Sequence, residues 1–360
     1  MNFFAILQGM RNKIKLLLTL TITPFLVNCS GKPLQTQLPI PNTPQTRTPI
    51  GTPVFIPRNV PPIIETHPDP RQNIPQRQTP PSQQVFKQGQ SYYSEKFKLP
   101  SSIKETSGLI KLDNRLWTLN DSGGKAALYQ IDEKSGRIIK TVKILNAHNR
   151  DWEDIAYDDT YVYIGDFGNN RGNRRDLKVY KIPRTALRTQ KSARAEVINF
   201  KYSDQKDFKS HPQQNNFDCE AMITHNGKLY LFSKNWQNQK TRLYELNTQA
   251  GKQTAHYVST FNTEGMVTGA SINEEMNIVL LTTYSPLLNV NVWAFTNFNG
   301  SNLFSGDAKK LNFTSPLNGQ IEGITFIGNY KAYMSSEAFR KYIFSFDSLL
   351  YTLDFSGEFE

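Results

Sequence analysis

Three glutamates recur at one place in an internal repeat: Glu153-Asp154-Ile155-Ala156, Glu220-Ala221-Met222-Ile223 and Glu322-Gly323-Ile324-Thr325. Ser107-Gly108-Leu109-Ile110 and Thr268-Gly269-Ala270-Ser271 fill the same column. If this column lines one channel, the three carboxylates repel one another unless a cation or arginines compensate. Asp121, Asp166 and Glu337 stand at or just beyond the end of the next apolar run, where they can join the same mouth. Oxygen-rich clusters of this type suit Ca²⁺, which takes about six to eight oxygen ligands. Glu153, Glu220 and Glu322 are therefore candidate metal ligands. Asp121, Asp166, Lys234 and Glu337 are candidate ligand-binding residues. The competing reading is structural: each carboxylate caps strand or turn amides and fixes contacts between neighbouring units.

A second polar constellation runs Asp166-Phe167-Gly168-Asn169-Asn170-Arg171-Gly172-Asn173-Arg174-Arg175. Asn169, Asn170, Arg171 and Arg174 are its candidate ligand contacts. Arginine clusters suit carboxylate or phosphate through paired hydrogen bonds. A solvated hairpin loop explains the same composition. The spacing of oxygen donors is not that of an EF-hand, and the terminal Glu is missing. The five histidines form neither HExxH nor a paired metal motif, and there is no G-x-S-x-G elbow and no phosphate-binding P-loop. No catalytic residue is assigned.

The elements that must position these residues repeat every 50 residues or so. An apolar–aromatic–any–apolar run occurs at Leu128-Tyr129-Gln130-Ile131, Val179-Tyr180-Lys181-Ile182, Leu243-Tyr244-Glu245-Leu246, Val292-Trp293-Ala294-Phe295 and Ile343-Phe344-Ser345-Phe346. The glutamate column precedes each run, with another apolar strand between them, and a more polar strand closes four of the units. Four strands per unit at this period predict an all-β chain folded as a β-propeller. A sandwich would not give the period, and a β-helix would have shorter rungs. Five four-stranded blades can be counted. Tyr351-Thr352-Leu353-Asp354-Phe355 and an insertion near 183–217 leave room for a sixth. The fifth unit lacks its outer strand. Glu95-Lys96-Phe97-Lys98-Leu99 is expected to supply it and close the ring, which removes exposed sheet edges.

Residues 91–360 are the propeller; what precedes them reads differently. Arg11, Lys13 and Lys15 flank a short apolar run ending at Val27, the layout of an export signal over 1–28. Met10 is a second candidate start beside Met1. Residues 31–90 hold 14 prolines and 10 glutamines. Such a segment cannot bury enough apolar surface to offset its ordering entropy, so 29–90 is expected to be a disordered stalk. Its polyproline bias gives a reach of roughly 100–190 Å. The net charge is +11, but it is scattered, so nucleic acid is not an expected partner. Anionic lipid or envelope polymers suit it better, and a protein ligand stays open. The chain is expected to be a monomer. Cys219, the other cysteine besides Cys29, is expected to be buried as a small hydrophobe.

Leu26-Val27-Asn28-Cys29 resembles the lipobox of bacterial lipoproteins, with Asn28 where a smaller residue is usual. The resemblance implies cleavage before Cys29, acylation (palmitate among the chains) on it, and attachment to the membrane. Ser30 implies sorting to the bacterial outer membrane. Asp151-Trp152-Glu153-Asp154-Ile155-Ala156, Tyr163-Ile164-Gly165-Asp166-Phe167-Gly168-Asn169-Asn170-Arg171 and Asn216-Phe217-Asp218-Cys219-Glu220-Ala221 resemble a group of exported bacterial β-propeller lipoproteins. They are loosely related to the NHL and TolB-like propellers. That resemblance covers most of residues 100–300. It implies a propeller, often six-bladed, and no activity. Two functions fit: a lipid-anchored binding or scaffold module of the cell envelope, or a Ca²⁺-dependent hydrolase of phosphate esters or lactones working at the channel.

Overall fold

Each unit of the repeat folds as an up-and-down antiparallel sheet, because short apolar runs are joined by tight turns and its inner strands are buried on both faces. A computed structural model describes residues 89–359 apart from 342 and 343. The export signal, Cys29 and the proline-rich stalk lie outside the described residues.

The first strand, β1 (Tyr92–Lys98), precedes the blades. Blade 1 holds β2 (Thr106–Leu112), β3 (Arg115–Asn120), β4 (Ala127–Ile131) and β5 (Ile138–Ile144). Blade 2 holds β6 (Trp152–Tyr157), β7 (Tyr161–Asp166), β8 (Lys178–Pro183) and, beyond a short helix α1 (Arg184–Thr189) and β9 (Ser192–Ala193), β10 (Glu196–Tyr202). Blade 3 is β11 (Asp218–His225), β12 (Lys228–Lys234), β13 (Thr241–Asn247) and β14 (Gly251–Phe261). Blade 4 is β15 (Met266–Asn273), β16 (Ile278–Tyr284), β17 (Val290–Thr296) and β18 (Asp307–Lys310). Blade 5 begins with β19 (Ile321–Gly328) and β20 (Lys331–Ser336). A small hairpin, β21 (Phe339–Lys341) with β22 (Phe344–Phe346), intervenes before its third strand, β23 (Leu349–Asp354).

The protein is a β-propeller, and five blades make the ring among the described residues. The inner strands pack in cyclic order β2, β6, β11, β15, β19 and back to β2. β1 pairs antiparallel with β23, from Tyr92 opposite Asp354 to Lys98 opposite Leu349, so the start of the domain supplies the outer strand of its last blade. The closing strand expected around residues 95–99 is therefore present.

Two expectations need correction. There is no sixth blade among the described residues. Tyr351 belongs to the third strand of blade 5, and the 183–217 insertion is spent on α1, β9, β10 and a loop. Nor is Ile343-Phe344-Ser345-Phe346 a third strand; Phe344–Phe346 lies in the small hairpin. Leu350-Tyr351-Thr352-Leu353 carries the same apolar–aromatic–any–apolar pattern and occupies the blade position. Two matching segments stood close together, and pattern alone could not choose between them.

The insertion also ties blades at the rim. β9 pairs parallel with β5, and β10 pairs parallel with β14, so the outer edges of blades 1, 2 and 3 are joined. The core lies between blades. Trp117 and Leu128 of blade 1 pack with Trp152, Ile164 and Ile182 of blade 2, and comparable apolar layers fill the other junctions.

Polar bonds staple neighbouring inner strands as well. The Met222 amide donates to Asp154 Oδ2 (2.7 Å), the Lys111 amide to Thr325 Oγ1 (3.0 Å) and the Phe326 amide to Ser271 Oγ (3.2 Å). Hydroxyls of Ser107, Thr224 and Thr268 donate to the carbonyls of Glu153, Tyr157 and Ile321. The carboxylate that bridges neighbouring inner strands by accepting a strand amide is thus Asp154, not one of the three glutamates of the column.

The closure has its own clasp. The Glu358 side chain is buried; it accepts from Ser91 Oγ (3.1 Å) and the Asn312 amide (2.6 Å) and pairs with Lys309 (3.2 Å). Removing a buried acceptor strands its donors, at a cost of about 1–3 kcal/mol. Glu358→Ala is expected to lower unfolding stability by about that much in a denaturant titration. An unchanged midpoint would show that the clasp contributes nothing.

Candidate metal centre

Strand direction decides which residues meet. In each blade the first strand starts, and the second ends, at the same end of the channel. The loops joining second to third strands, and those joining one blade to the next, gather there too. The ladder between first and second strands slips by one residue in every blade: at Gly108, Glu153, Glu220, Thr268 and Glu322. Such bulges bend a strand and re-aim the extra side chain. The glutamate column is therefore a column of bulge residues. Blade 1 contributes Gly108 to it, one residue after Ser107. Gly108 has φ +61°, and a Cβ there would lie 2.8 Å from the Ile155 amide nitrogen.

The five blades divide the mouth into two unlike halves. On the side of blades 3 to 5, Lys234 ends β12 and its Nζ meets Glu220 Oε2 at 2.6 Å, with both side chains buried. The ammonium also lies 5.0 Å from the Trp236 ring centre and 5.1 Å from that of Tyr284. Burial opposes the Lys234 charge, but Glu220, Tyr284, Glu322 and Asp218 hold its pKa well above the ordinary range. Glu322 is pushed up to about 7 by burial, although Lys234 and a hydrogen bond with Tyr284 pull it back. Glu337 is raised by burial and by the charges of Glu322 and Asp121.

On the side of blades 1 and 2 no cation pairs with Glu153 among the described residues, and Arg174, 4.0 Å from Asp151, is paired more closely with Asp166 at 2.7 Å. Asp121, Asp151 and Glu153 each place a carboxylate oxygen within 4.8 Å of the others. Asn149, itself buried, assembles them. Its Nδ2 donates to the carbonyls of Asn120 (2.9 Å) and Asp121 (2.8 Å), and its Oδ1 accepts the Trp152 amide (3.2 Å). The loop carrying Asp121 is thereby fixed to the start of the strand carrying Glu153. Glu153 is 3% exposed, and its carboxylate accepts no hydrogen bond among the described residues. Burial pushes its pKa well up, and Asp121, Glu220 and Asp151 add to the effect. Asp121 is raised by burial and then by Asp151. Asp151 is held at about 7 by burial and by Asp218, with Arg174 pulling the other way.

Gly168 forms the floor of this cluster. A Cβ there would lie 1.9 Å from Glu153 Oε1 and 2.5 Å from Asp151 Oδ2, so only glycine leaves room for both carboxylates. Its amide donates to the Asp151 carbonyl (3.2 Å). An oxygen-only donor set, a buried carboxylate without a partner and a cradle that a methyl group would fill together fit a hard divalent cation.

The structure redistributes the residues singled out from sequence. Of the three glutamates, only Glu153 joins the compact trio; Glu220 and Glu322 are bound up with Lys234 and Tyr284. Asp121 joins the trio, and Glu337 lies near it and Glu322. Asp166 and Arg174 are both buried and spend themselves on each other at 2.7 Å, and Arg174 also bonds the Gly168 carbonyl. Asn169 is internal, donating to the Phe217 carbonyl (3.0 Å) and accepting the Arg174 amide (2.9 Å). Asn170 is half-buried and Arg171 exposed at the tip of the turn that the Gly172 amide closes on the Asn169 carbonyl. Asp151 and Asn149 escaped the sequence reading as site residues. Asp151 stood two residues before Glu153 in a quoted motif, which is the signal that could have found it. Cys219 is fully buried, with its thiol against the Phe232 carbonyl (3.4 Å).

The raised carboxyls have a sign that can be tested. Their pKa values lie above those of the unfolded chain, so the folded state binds more protons. The cluster is then least costly below about pH 4 and progressively destabilising as pH climbs toward 7. With metal chelated, Asp151→Asn should match the natural chain near pH 4 and be more stable near pH 8 in thermal unfolding. A difference that stays constant across that range would contradict the assignment.

No family model matches the chain, and no curated protein matches it. Solved structures resemble it at the level of overall path. One is the gluconolactonase XC5397 from Xanthomonas campestris, at 8% identity and TM-score 0.41, covering 73% of this chain and 89% of that one. U3-55K and the RRP9 WD40 repeats each give 8% identity and TM-score 0.37, covering 73% of this chain and 98% and 97% of theirs. Likenesses this distant say nothing of activity.

Proposed function

We propose that the propeller is a binding module whose channel mouth takes a divalent cation, Ca²⁺ by its donor set, and through it an anionic ligand. One observation carries this: the unpartnered, buried Glu153 carboxylate within 4.8 Å of Asp121 and Asp151. A cation there would relieve the mutual repulsion of the three groups. Three protein oxygens fill only part of a calcium shell, so positions stay open for ligand oxygens or water.

A hydrolase is the second reading. What favours it is that Asp151 and Glu322 are held at about 7, where a carboxyl can take or give a proton at neutral pH. A bound cation would supply Lewis acidity. The side chains named here would position the ligand and carry the proton.

Calcium is expected to raise the thermal midpoint of the full chain. The rise should vanish in Glu153→Gln, Asp151→Asn and Gly168→Ala but survive in Glu220→Gln, whose partner is Lys234. No calcium shift in the natural chain, or one that depends on Glu220 and not on Glu153, would end the proposal. The same panel assayed with a phosphate monoester and a lactone separates the readings: calcium-dependent turnover lost in Glu153→Gln makes it a hydrolase, and none leaves a binding module.

We also propose that Cys29 carries the lipid that tethers the propeller to the bacterial outer membrane. The support is the lipobox-like Leu26-Val27-Asn28-Cys29 after a basic-then-apolar segment. Cys29→Ser is expected to move the protein from the membrane to the soluble fraction of fractionated cells. Unaltered fractionation would defeat the tether.

A further inference from the structure

Two loops at the mouth end are bonded into one unit. Residues 167–177 join β7 to β8, and residues 203–217 join β10 to β11. The His211 amide donates to the Arg171 carbonyl (2.8 Å) and the Gln213 amide to the Asn170 carbonyl (2.8 Å). Buried Gln205 reaches across to the Gly172 carbonyl (2.8 Å), and buried Asn215 to the Asn170 carbonyl (3.0 Å). Gly172 has φ +68°, and a Cβ there would lie 2.8 Å from Asn215 Cγ, so this fit needs glycine. Buried amide side chains thus fix the shape of both loops.

The unit carries four exposed cations: Arg171, Arg175, Lys206 and Lys209. The Arg175 guanidinium lies 3.9 Å from the centre of the Phe208 ring. Lys209 adjoins Phe208 in the chain, and Lys206 follows Gln205, whose side chain is tied to Gly172 beside Arg171. Successive Cα atoms are about 3.8 Å apart, so these ties confine all four attachment points to a patch at most roughly 20 Å across. None of the four makes an ion pair among the described residues. The loops hold three carboxylates, and two of them are committed to other arginines: Asp176 to Arg150 (2.5 Å) and Arg174 (3.3 Å), Asp204 to Arg242 (3.3 Å). Asp207 is turned to His211 (3.1 Å) and to the Lys209 amide (2.9 Å). One carboxylate is therefore left against four cations. An anion with several closely spaced charges relieves their repulsion. Arginine offers phosphate a fork of donors, and lysine a point charge. No large apolar side chain of these loops is exposed, so a bilayer gains no insertion here that a soluble polymer lacks.

We propose that these two loops are a docking surface for a soluble polyanion with closely spaced phosphate groups, built from Arg171, Arg175, Lys206 and Lys209. The surface is independent of the cation proposed for the channel mouth. Arg174, the remaining arginine of the same loop, is buried on Asp166 and takes no part.

The test titrates the full chain, as Cys29→Ser, with linear inorganic polyphosphate. EDTA is present so that no divalent cation bridges protein and probe. Four contacts to a flexible phosphate chain predict an affinity that falls by about 50-fold between about 50 mM and 200 mM salt. Arg171→Gln with Arg175→Gln should weaken binding by about tenfold or more and roughly halve the salt dependence. Lys206→Gln with Lys209→Gln should do the same. Matched thermal midpoints show that the variants fold; if the arginine pair does not, because Arg175 packs on Phe208, the lysine pair decides. Lys134→Gln with Arg137→Gln removes two exposed cations from the β4–β5 turn at the opposite end and should change nothing. Glu153→Gln should also leave binding intact. Failure to bind polyphosphate overturns the proposal, and binding to phosphatidylglycerol vesicles in its place would reassign the loops to a membrane. Binding that ignores the loop substitutions, or that the control pair weakens equally, reports only net charge and overturns it too.

Discussion

Ring closure is the constraint on which everything else in this propeller rests. A blade alone has two exposed edges and two apolar faces that must be covered by the blades on either side. Only when β1 crosses to β23 does blade 5 acquire its outer strand. Only then do the inner strands form an unbroken ring, with β19 against β2. The channel mouth is a product of that ring, because its residues come from five separate blades and from the loops between them. The parallel pairings of β9 with β5 and of β10 with β14 reinforce the same closure from outside. They hold together the blades that carry Asp121, Asp151 and Glu153.

Within the ring, carboxylates accumulate because each blade offers the same bulge position to the channel. Two physical solutions to the resulting repulsion stand side by side. Around Glu220 and Glu322 the protein provides its own cation, Lys234, boxed by Trp236 and Tyr284. A buried ion pair of this kind is stable only when its partners are well placed, and these are. Around Glu153 it provides none. Arg174 lies 4.0 Å from Asp151, but its guanidinium is committed to Asp166 and to the Gly168 carbonyl. An incompletely satisfied polar cluster in a low-dielectric site is costly. Its persistence beside a fully satisfied one is what distinguishes the two halves of the mouth.

The repeat was legible because strand alternation and turn chemistry are local. Blades, strand order and the closing strand followed from apolar runs spaced at regular intervals. Legibility failed where two local matches competed. The run at 343–346 and the one at 350–353 fit the same pattern, and only pairing with β20 selected the second. The column at the channel was one residue off in blade 1 for a related reason: a bulge is a property of the ladder, and Ser107 and Gly108 look equally good until β3 is laid beside them.

By itself, the sequence determined the fold class and the residue types facing the channel, because periodicity and propensity act over a few residues; it showed five blades but left room for a sixth, which strand pairing removed. It also held the basic-then-apolar start and the proline-rich segment, which are matters of composition. Only the tertiary structure decided which carboxylates share a site. Asp121 and Asp151 lie 30 residues apart, brought together by Asn149 and cradled by Gly168. Asp166 and Arg174, attractive as surface ligands on paper, turned out to neutralise each other. Burial, distance and the assignment of partners are set by packing across blades, and no local pattern encodes them.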